Sequence, residues 1–119
     1  APQMPEIKAE QYTLEFANRD TWNEGVDDDT RKGFQVLKLF KEYGFEGEIG
    51  IGVSDVHVND VESPELIRDR ILYAAKALDD PTKVYVNPDC GLRTRSREVS
   101  FDKIRSIVKG AELAREEIK

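Results

Sequence analysis

The sequence is poor in the residues that most often announce chemistry. Its 119 residues include one cysteine, Cys90, and one histidine, His57. A single thiol cannot build an internal disulfide framework. That excludes a disulfide-stapled secreted scaffold, and the chain reads as cytoplasmic. No run approaches the ~20 apolar residues of a membrane span, and no charged-then-apolar segment resembles a signal peptide. Positive charge is also in deficit: 18 Lys and Arg against 24 Asp and Glu leave a net −6. An acidic chain repels phosphate backbones, so no nucleic-acid partner is expected. The one basic cluster, Arg93, Arg95 and Arg97, has acidic residues on both sides and reads as a solvated approach to a helix. Common ligand motifs are missing as well. Gly50-Ile51-Gly52 lacks the third glycine of a dinucleotide fingerprint, and there is neither a phosphate-binding loop nor a nucleophile elbow.

What is present suits one ordinary domain over residues 1–119, with 39% hydrophobic and 35% charged residues. Residues 1–10 read as a frayed lead-in, the end of a truncated helix. Gln11 to Phe16 alternates, with Tyr12, Leu14 and Phe16 on one face, which predicts a strand. A polar loop runs from Asn18 to Asp29, where Asp28 or Asp29 would cap a helix carrying Val36, Leu37, Phe40 and Tyr43 on one face and ending at Gly44. Glu48 to Ser54 is a second strand, whose two glycines suggest that something approaches its backbone. Ser63-Pro64 starts a second helix with Ile67, Ile71, Ala74, Ala75 and Leu78 as its buried stripe, closed by Pro81. Lys83 to Asn87 is a third strand, and Asn87 to Gly91 a tight turn. Ser100 would cap a long last helix with Ile104, Ile107, Val108, Ala111 and Ile118 on one side. Strand and helix thus alternate three times, an α/β pattern that implies a parallel sheet. It fits a small open sheet or a piece of a (β/α)8 barrel, which needs about 250 residues when complete.

The reactive residues gather at one end of this pattern. Glu15 lies near the end of the first strand, Asp55 and His57 just past the second, and Asn87, Asp89 and Cys90 just past the third. Strand C-termini carry the active site in parallel α/β folds. Each residue also has a plainer reading: Glu15 as a solvent-facing strand residue, His57 as a hydrogen-bonded loop histidine, Cys90 as a small buried hydrophobe. A turn of Pro-Asp-Cys-Gly composition favours projecting the cysteine over packing it. A Cys90–His57 thiol enzyme is a further reading of the same rim.

Three segments carry a resemblance. Val86-Asn87-Pro88-Asp89-Cys90-Gly91-Leu92-Arg93-Thr94-Arg95 is similar to the segment of cobalamin-independent methionine synthase that holds its last zinc cysteine. Ile49-Gly50-Ile51-Gly52-Val53-Ser54-Asp55-Val56-His57 is similar to that family's strand and loop ending in Asp-x-His, and Thr13-Leu14-Glu15 to the strand ending in its zinc glutamate. The resemblance runs from about residue 9 onward and implies three consecutive βα units of a partial TIM (β/α)8 barrel. It implies zinc as cofactor, Glu15 and Cys90 as metal ligands and His57 as proton donor, supported by Asp55, Asn87 and Asp89. It implies transfer of a methyl group from methyltetrahydrofolate or a methyl-corrinoid to the thiol of homocysteine, giving methionine. The strand reads Ile-Gly-Ile-Gly where many members have proline, and the first strand continues Phe16-Ala17-Asn18-Arg19-Asp20. Both features are closer to short, single-barrel relatives. The family's upstream His-x-Cys pair has no counterpart here. The chain alone is therefore expected to be inactive and to need the missing barrel segment or self-association. The alternative is a non-catalytic α/β module that binds a partner.

Overall fold

Alternation decides which face of the sheet is covered. The structure, a computed structural model, describes residues 11–44, 47–89 and 96–118, with side chains described from residue 14 onward. The expected lead-in over residues 1–10, the turn at Cys90 and Gly91, and Arg93 and Arg95 lie outside the described residues. Strands β1 (Gln11–Glu15), β2 (Glu48–Ser54) and β3 (Val84–Pro88) form a parallel sheet in the order β1-β2-β3, so β1 and β3 are its edges. Their register aligns Leu14 with Ile51 and Val86, and Ile49 with Val84. On this face Ile49, Ile51 and Val53 are fully buried and pack on Ile67, Ile71, Ala74 and Leu78. Side chains alternate along a strand, so the opposite face carries Glu15, Glu48, Gly50, Gly52, Tyr85 and Asn87. There Tyr85 donates its hydroxyl hydrogen bond to Glu48 across 2.8 Å.

Helix α2 (Pro64–Leu78) follows its sequence signals closely. Ser63 Oγ accepts from the Leu66 amide at 3.1 Å and Pro64 takes the first helical position. It ends before Pro81, because Asp79 adopts the left-handed conformation (φ 57°) and the Asp80 amide returns to the Ala75 carbonyl. Pro81 then opens a short 3-10 turn, Pro81–Lys83, rather than closing the helix.

The first and last helices depart from expectation. Helix α1 is only Leu37–Glu42, and neither Asp28 nor Asp29 caps it. Asp27 instead accepts from the Thr30 amide at 2.8 Å, while Asp28 binds Lys38 and the Tyr73 hydroxyl. A separate 3-10 turn, Lys32–Phe34, precedes α1, and it buries Phe34 against the ring of Phe16 with centroids 5.1 Å apart. Leu37 and Phe40 are buried as expected, whereas Tyr43 lies outside the helix and is exposed. Gly44 does stop the helix, at φ 73°.

Helix α3 (Arg97–Ile118) begins ahead of Ser100, because Ser96 Oγ accepts from the Val99 amide at 3.2 Å. Its buried positions are Lys103, Ser106, Gly110 and Ala114, while Ile104, Val108 and Ile118 are exposed. Gly110 explains the choice. A Cβ there would stand 2.4 Å from Ile67 Cγ2, so α3 meets α2 closely at this small residue, while Ile107 and Ala111 of the expected stripe are partly buried and pack against the core. Among the described residues no helix is long and apolar enough to cross a membrane.

Candidate active site at the strand ends

Strand β1 ends on Glu15, and the loop after β2 returns His57 to meet it. Glu15 Oε1 and His57 Nε2 are 3.3 Å apart, and both side chains are about half exposed. The structure thus brings together the expected glutamate and the expected histidine, which lie 42 residues apart in the chain. Neither is a solitary surface group.

Asp55 has a different task from theirs. It is buried, its amide donates to Glu62 Oε2 at 2.7 Å, and its Oδ1 accepts from the His57 amide at 2.9 Å. Its carboxylate therefore shapes the turn that leads into His57, a local side-chain-to-backbone bond of the kind aspartate favours.

Asp89 is a clamp between two strand ends. Its Oδ1 accepts from the amides of Phe16 (3.1 Å) and Ala17 (3.0 Å), and its Oδ2 from the amide of Asn18 (2.7 Å). Three amide donors satisfy a carboxylate that is only 4% exposed. Burial pushes this carboxyl up to about 6, against the downward pull of the Ala17, Asn18 and Phe16 amides. Gly52 makes room for it: a Cβ at that position would stand 2.1 Å from Asp89 Oδ1. The backbone approach suggested by the glycines of this strand is thus found at Gly52. Asn87 sits inside β3, opposite Gly52, and not past the strand end as expected. Cys90 lies outside the described residues, and among those described no three His, Cys, Asp or Glu gather as a metal site.

A buried charge network behind the rim was not foreseen. Arg70 donates through Nε to Asp20 Oδ2 (2.9 Å) and through Nη1 to Glu62 Oε2 (3.0 Å) and the Val53 carbonyl (2.7 Å). Lys103 Nζ lies 3.5 Å from Glu62 Oε1, and Arg31 Nε 3.4 Å from Asp20 Oδ2. The side chains of all five residues are fully buried. Desolvation lowers the proton affinity of Arg31, and Asp20 works against that shift. Helical spacing held the missing signal: Arg70 falls on the same face as Ile67, Ile71 and Ala74, and a charge on a core stripe implies a buried partner.

Comparison with known proteins decides the family. Residues 26–113 match the family model described as cobalamin-independent synthase, catalytic domain. The chain belongs to this family. Among curated relatives it is 51% identical over 109 residues to a methionine synthase of Thermoplasma acidophilum, covering 88% of this chain and 32% of that protein. It is 37% identical over 123 residues to a methionine synthase of Saccharolobus solfataricus, covering 100% of this chain and 32% of that protein. The chain therefore spans about a third of the length of these synthases. A B12-independent methionine synthase from Shewanella sp. W3-18-1, solved in complex with selenomethionine, shares the fold with a TM-score of 0.74 at 22% identity. That match covers 98% of this chain and 30% of the solved one.

Proposed function

We propose that this chain forms three consecutive βα units of a partial TIM (β/α)8 barrel and carries part of the site of a zinc-dependent homocysteine methyltransferase. The methyl group would pass from methyltetrahydrofolate or a methyl-corrinoid to the homocysteine thiol, giving methionine. The observation that carries this reading is the meeting of Glu15 and His57 at 3.3 Å on the strand C-terminal rim. This is where the chemistry of parallel α/β enzymes collects. Asp89 supports it by binding the amide of Phe16, the residue after Glu15, while being itself the residue before Cys90. One carboxylate therefore joins the two segments that would supply metal ligands.

The donor set suits the metal. Carboxylate oxygen and thiolate sulfur are ordinary zinc ligands, and Glu15 is accessible at the rim. When bound, zinc lowers the proton affinity of a thiol and so makes it nucleophilic at neutral pH. Glu15 and Cys90 would hold the ion, and Asn87 would line the same rim. His57 has general-acid work: a proton given to the departing nitrogen of a methylated folate makes that nitrogen a feasible leaving group. Two ligands fall short of the three or four such a site needs, so the remaining ones would come from the rest of the barrel.

The surface of the chain fits an incomplete barrel. Phe101, Ile104 and Val108 of α3 are exposed at 60%, 46% and 52%. Separately, a groove of about 460 Å³ lies among edge strand β3, α2 and α3, lined by Ile71, Ala75, Val84, Val86, Ala111 and Ile118. An apolar surface of this kind beside an open sheet edge calls for a cover.

Native mass spectrometry of the chain with and without zinc tests the reading. A zinc-bearing chain or assembly is expected, with zinc lost in Cys90→Ser and weakened in Glu15→Gln. A monomer free of zinc at every concentration, or zinc retained unchanged in both variants, would overturn the assignment of these two ligands and favour a binding module.

A further inference from the structure

We propose that Glu62 is the positioning residue of the loop that carries His57. Its carboxylate closes the base of that loop and thereby sets where the imidazole stands against Glu15. The consequence for catalysis rests on the proposed role of His57; the structural tie does not.

The loop runs from Ser54 to Glu62, and both ends are buried, Ser54 and Glu62 at 1% exposure each. Glu62 Oε1 accepts from Ser54 Oγ at 3.0 Å and lies 3.5 Å from Lys103 Nζ. Its Oε2 accepts from the Asp55 amide at 2.7 Å and from Arg70 Nη1 at 3.0 Å. A carboxylate has about four acceptor sites, and here each meets a donor. Two of those donors belong to the outgoing arm of the loop. The other two are cations that also bind backbone at the two ends of the loop: Arg70 the Val53 carbonyl of β2 just before it at 2.7 Å, Lys103 the Asp60 carbonyl within it at 2.5 Å. Asp55 relays the hold to His57, because the residue whose amide is tied to Glu62 accepts the His57 amide through its own carboxylate. Through Asp20, Arg70 extends the same hold to the loop after β1, where Asp20 Oδ1 accepts from the Gly33 amide at 3.1 Å.

Burying such a network is an expensive way to gain stability, since well-packed apolar residues of the same volume often do as well or better. What an apolar residue cannot do is bind the Asp55 amide and the Ser54 hydroxyl together. That specific task is the ground for reading Glu62 as a positioning group and not as a general stabiliser.

The test uses Glu62→Gln, which keeps the shape and one acceptor oxygen but turns the other into a donor, and Lys103→Met, which leaves the Asp55 tie in place. Amide hydrogen exchange of the chain is read at Asp55 and His57, with Ile51 and Ala74 as internal references. In Glu62→Gln, exchange at Asp55 should accelerate about tenfold or more relative to Ala74, because the one oxygen left is an uncharged, weaker acceptor that the Asp55 amide must share with Arg70. In Lys103→Met the same ratio should change by no more than about threefold, since the amide bond is kept. In the complete synthase, Glu62→Gln should lower kcat about tenfold or more with KM nearly unchanged, the pattern of a displaced catalytic group. Equal acceleration at Asp55 and Ala74 would overturn the proposal by making Glu62 a stabiliser of the whole fold. Selective loosening with an unchanged kcat would overturn its catalytic consequence. If Glu62→Gln does not fold, Ser54→Ala removes one loop donor and should loosen Asp55 over Ala74; no such bias overturns the proposal. Absence of methyl transfer in the unaltered synthase would count against the role of His57, while the exchange ratios would still decide the loop tie.

Discussion

Helices α2 and α3 lie against each other, yet α2 buries a branched apolar stripe along with Asp69 and Arg70, whereas the buried positions of α3 are small residues and a lysine. Helix α2 buries Leu66, Ile67, Ile71, Ala74 and Leu78, its apolar stripe. Helix α3 buries Lys103, Ser106, Gly110 and Ala114 and leaves Phe101, Ile104 and Val108 in solvent. Both are amphipathic, so pattern alone predicts the same behaviour for each. The difference lies in their neighbours. Helix α2 packs on the sheet, on α1 and on α3, so its apolar side has somewhere to go. Helix α3 presents α2 with its small residues and with one lysine that a buried carboxylate neutralises. Of its apolar residues, Phe101, Ile104, Val108 and Ile118 stay exposed, while Ile107 and Ala111 pack against the core. A hydrophobic stripe marks the side a helix must bury, but it does not say whether the covering surface is in the same stretch of chain.

The comparison can be broken most directly at its centre. Ile67→Ala removes a fully buried side chain that touches both the sheet-side core and α3. Urea unfolding should show a loss of about 2–5 kcal/mol, the usual range for such truncations. Gly110→Ala should come next. Its new Cβ would stand 2.4 Å from Ile67 Cγ2 and 2.9 Å from the Pro64 carbonyl oxygen. Overpacking of this kind costs about 1–3 kcal/mol, more than the ~1 kcal/mol that alanine gains over glycine in a helix. The double variant sharpens the point: if the two helices meet as described, the losses should fall short of additivity by at least about 0.5 kcal/mol.

Ile104→Ser should change the stability of the chain by no more than about 0.5 kcal/mol, because the side chain is 46% exposed. A large loss would show that α3 buries its apolar side after all. The smallest effect is one of pH. Hydrogen bonds from Thr30 and Thr82 hold the Asp27 and Asp80 carboxyls below the usual carboxylate range. A depressed folded pKa contributes stability above the unfolded value, near 4, and loses it as pH falls through the folded one. Acidification below pH ~4 should therefore lower the protection of the Thr30 and Thr82 amides, each referred to its intrinsic exchange rate at the same pH, while the cores of α2 and α3 stay protected. Unchanged protection at those two amides would remove the hydrogen-bonding role of the aspartates.

Legibility followed the range of the interactions. The span of β2 agrees with its apolar alternation, and the start of α2 with Ser63-Pro64, because periodicity and capping act within a few residues. The grouping of Glu15, Asp55, His57 and Asp89 at one rim was also readable, since each sits at the end of a strand and parallel strands end together. Less readable was the division of labour among them. That Asp89 binds backbone amides, while Glu15 and His57 face each other, depends on contacts spanning 42 to 73 residues.

By itself, the sequence determined the α/β alternation, the family resemblance and the gathering of Glu15, Asp55, His57 and Asp89 at the strand ends, all of which rest on local pattern and residue type. Tertiary structure alone decided that Gly52 admits Asp89, that α3 buries its small and charged face, and that Arg70 and Glu62 tie the loop of His57. In each of these a distant group supplies the space, the charge or the hydrogen-bond partner, and burial in a close-packed interior makes that partner obligatory.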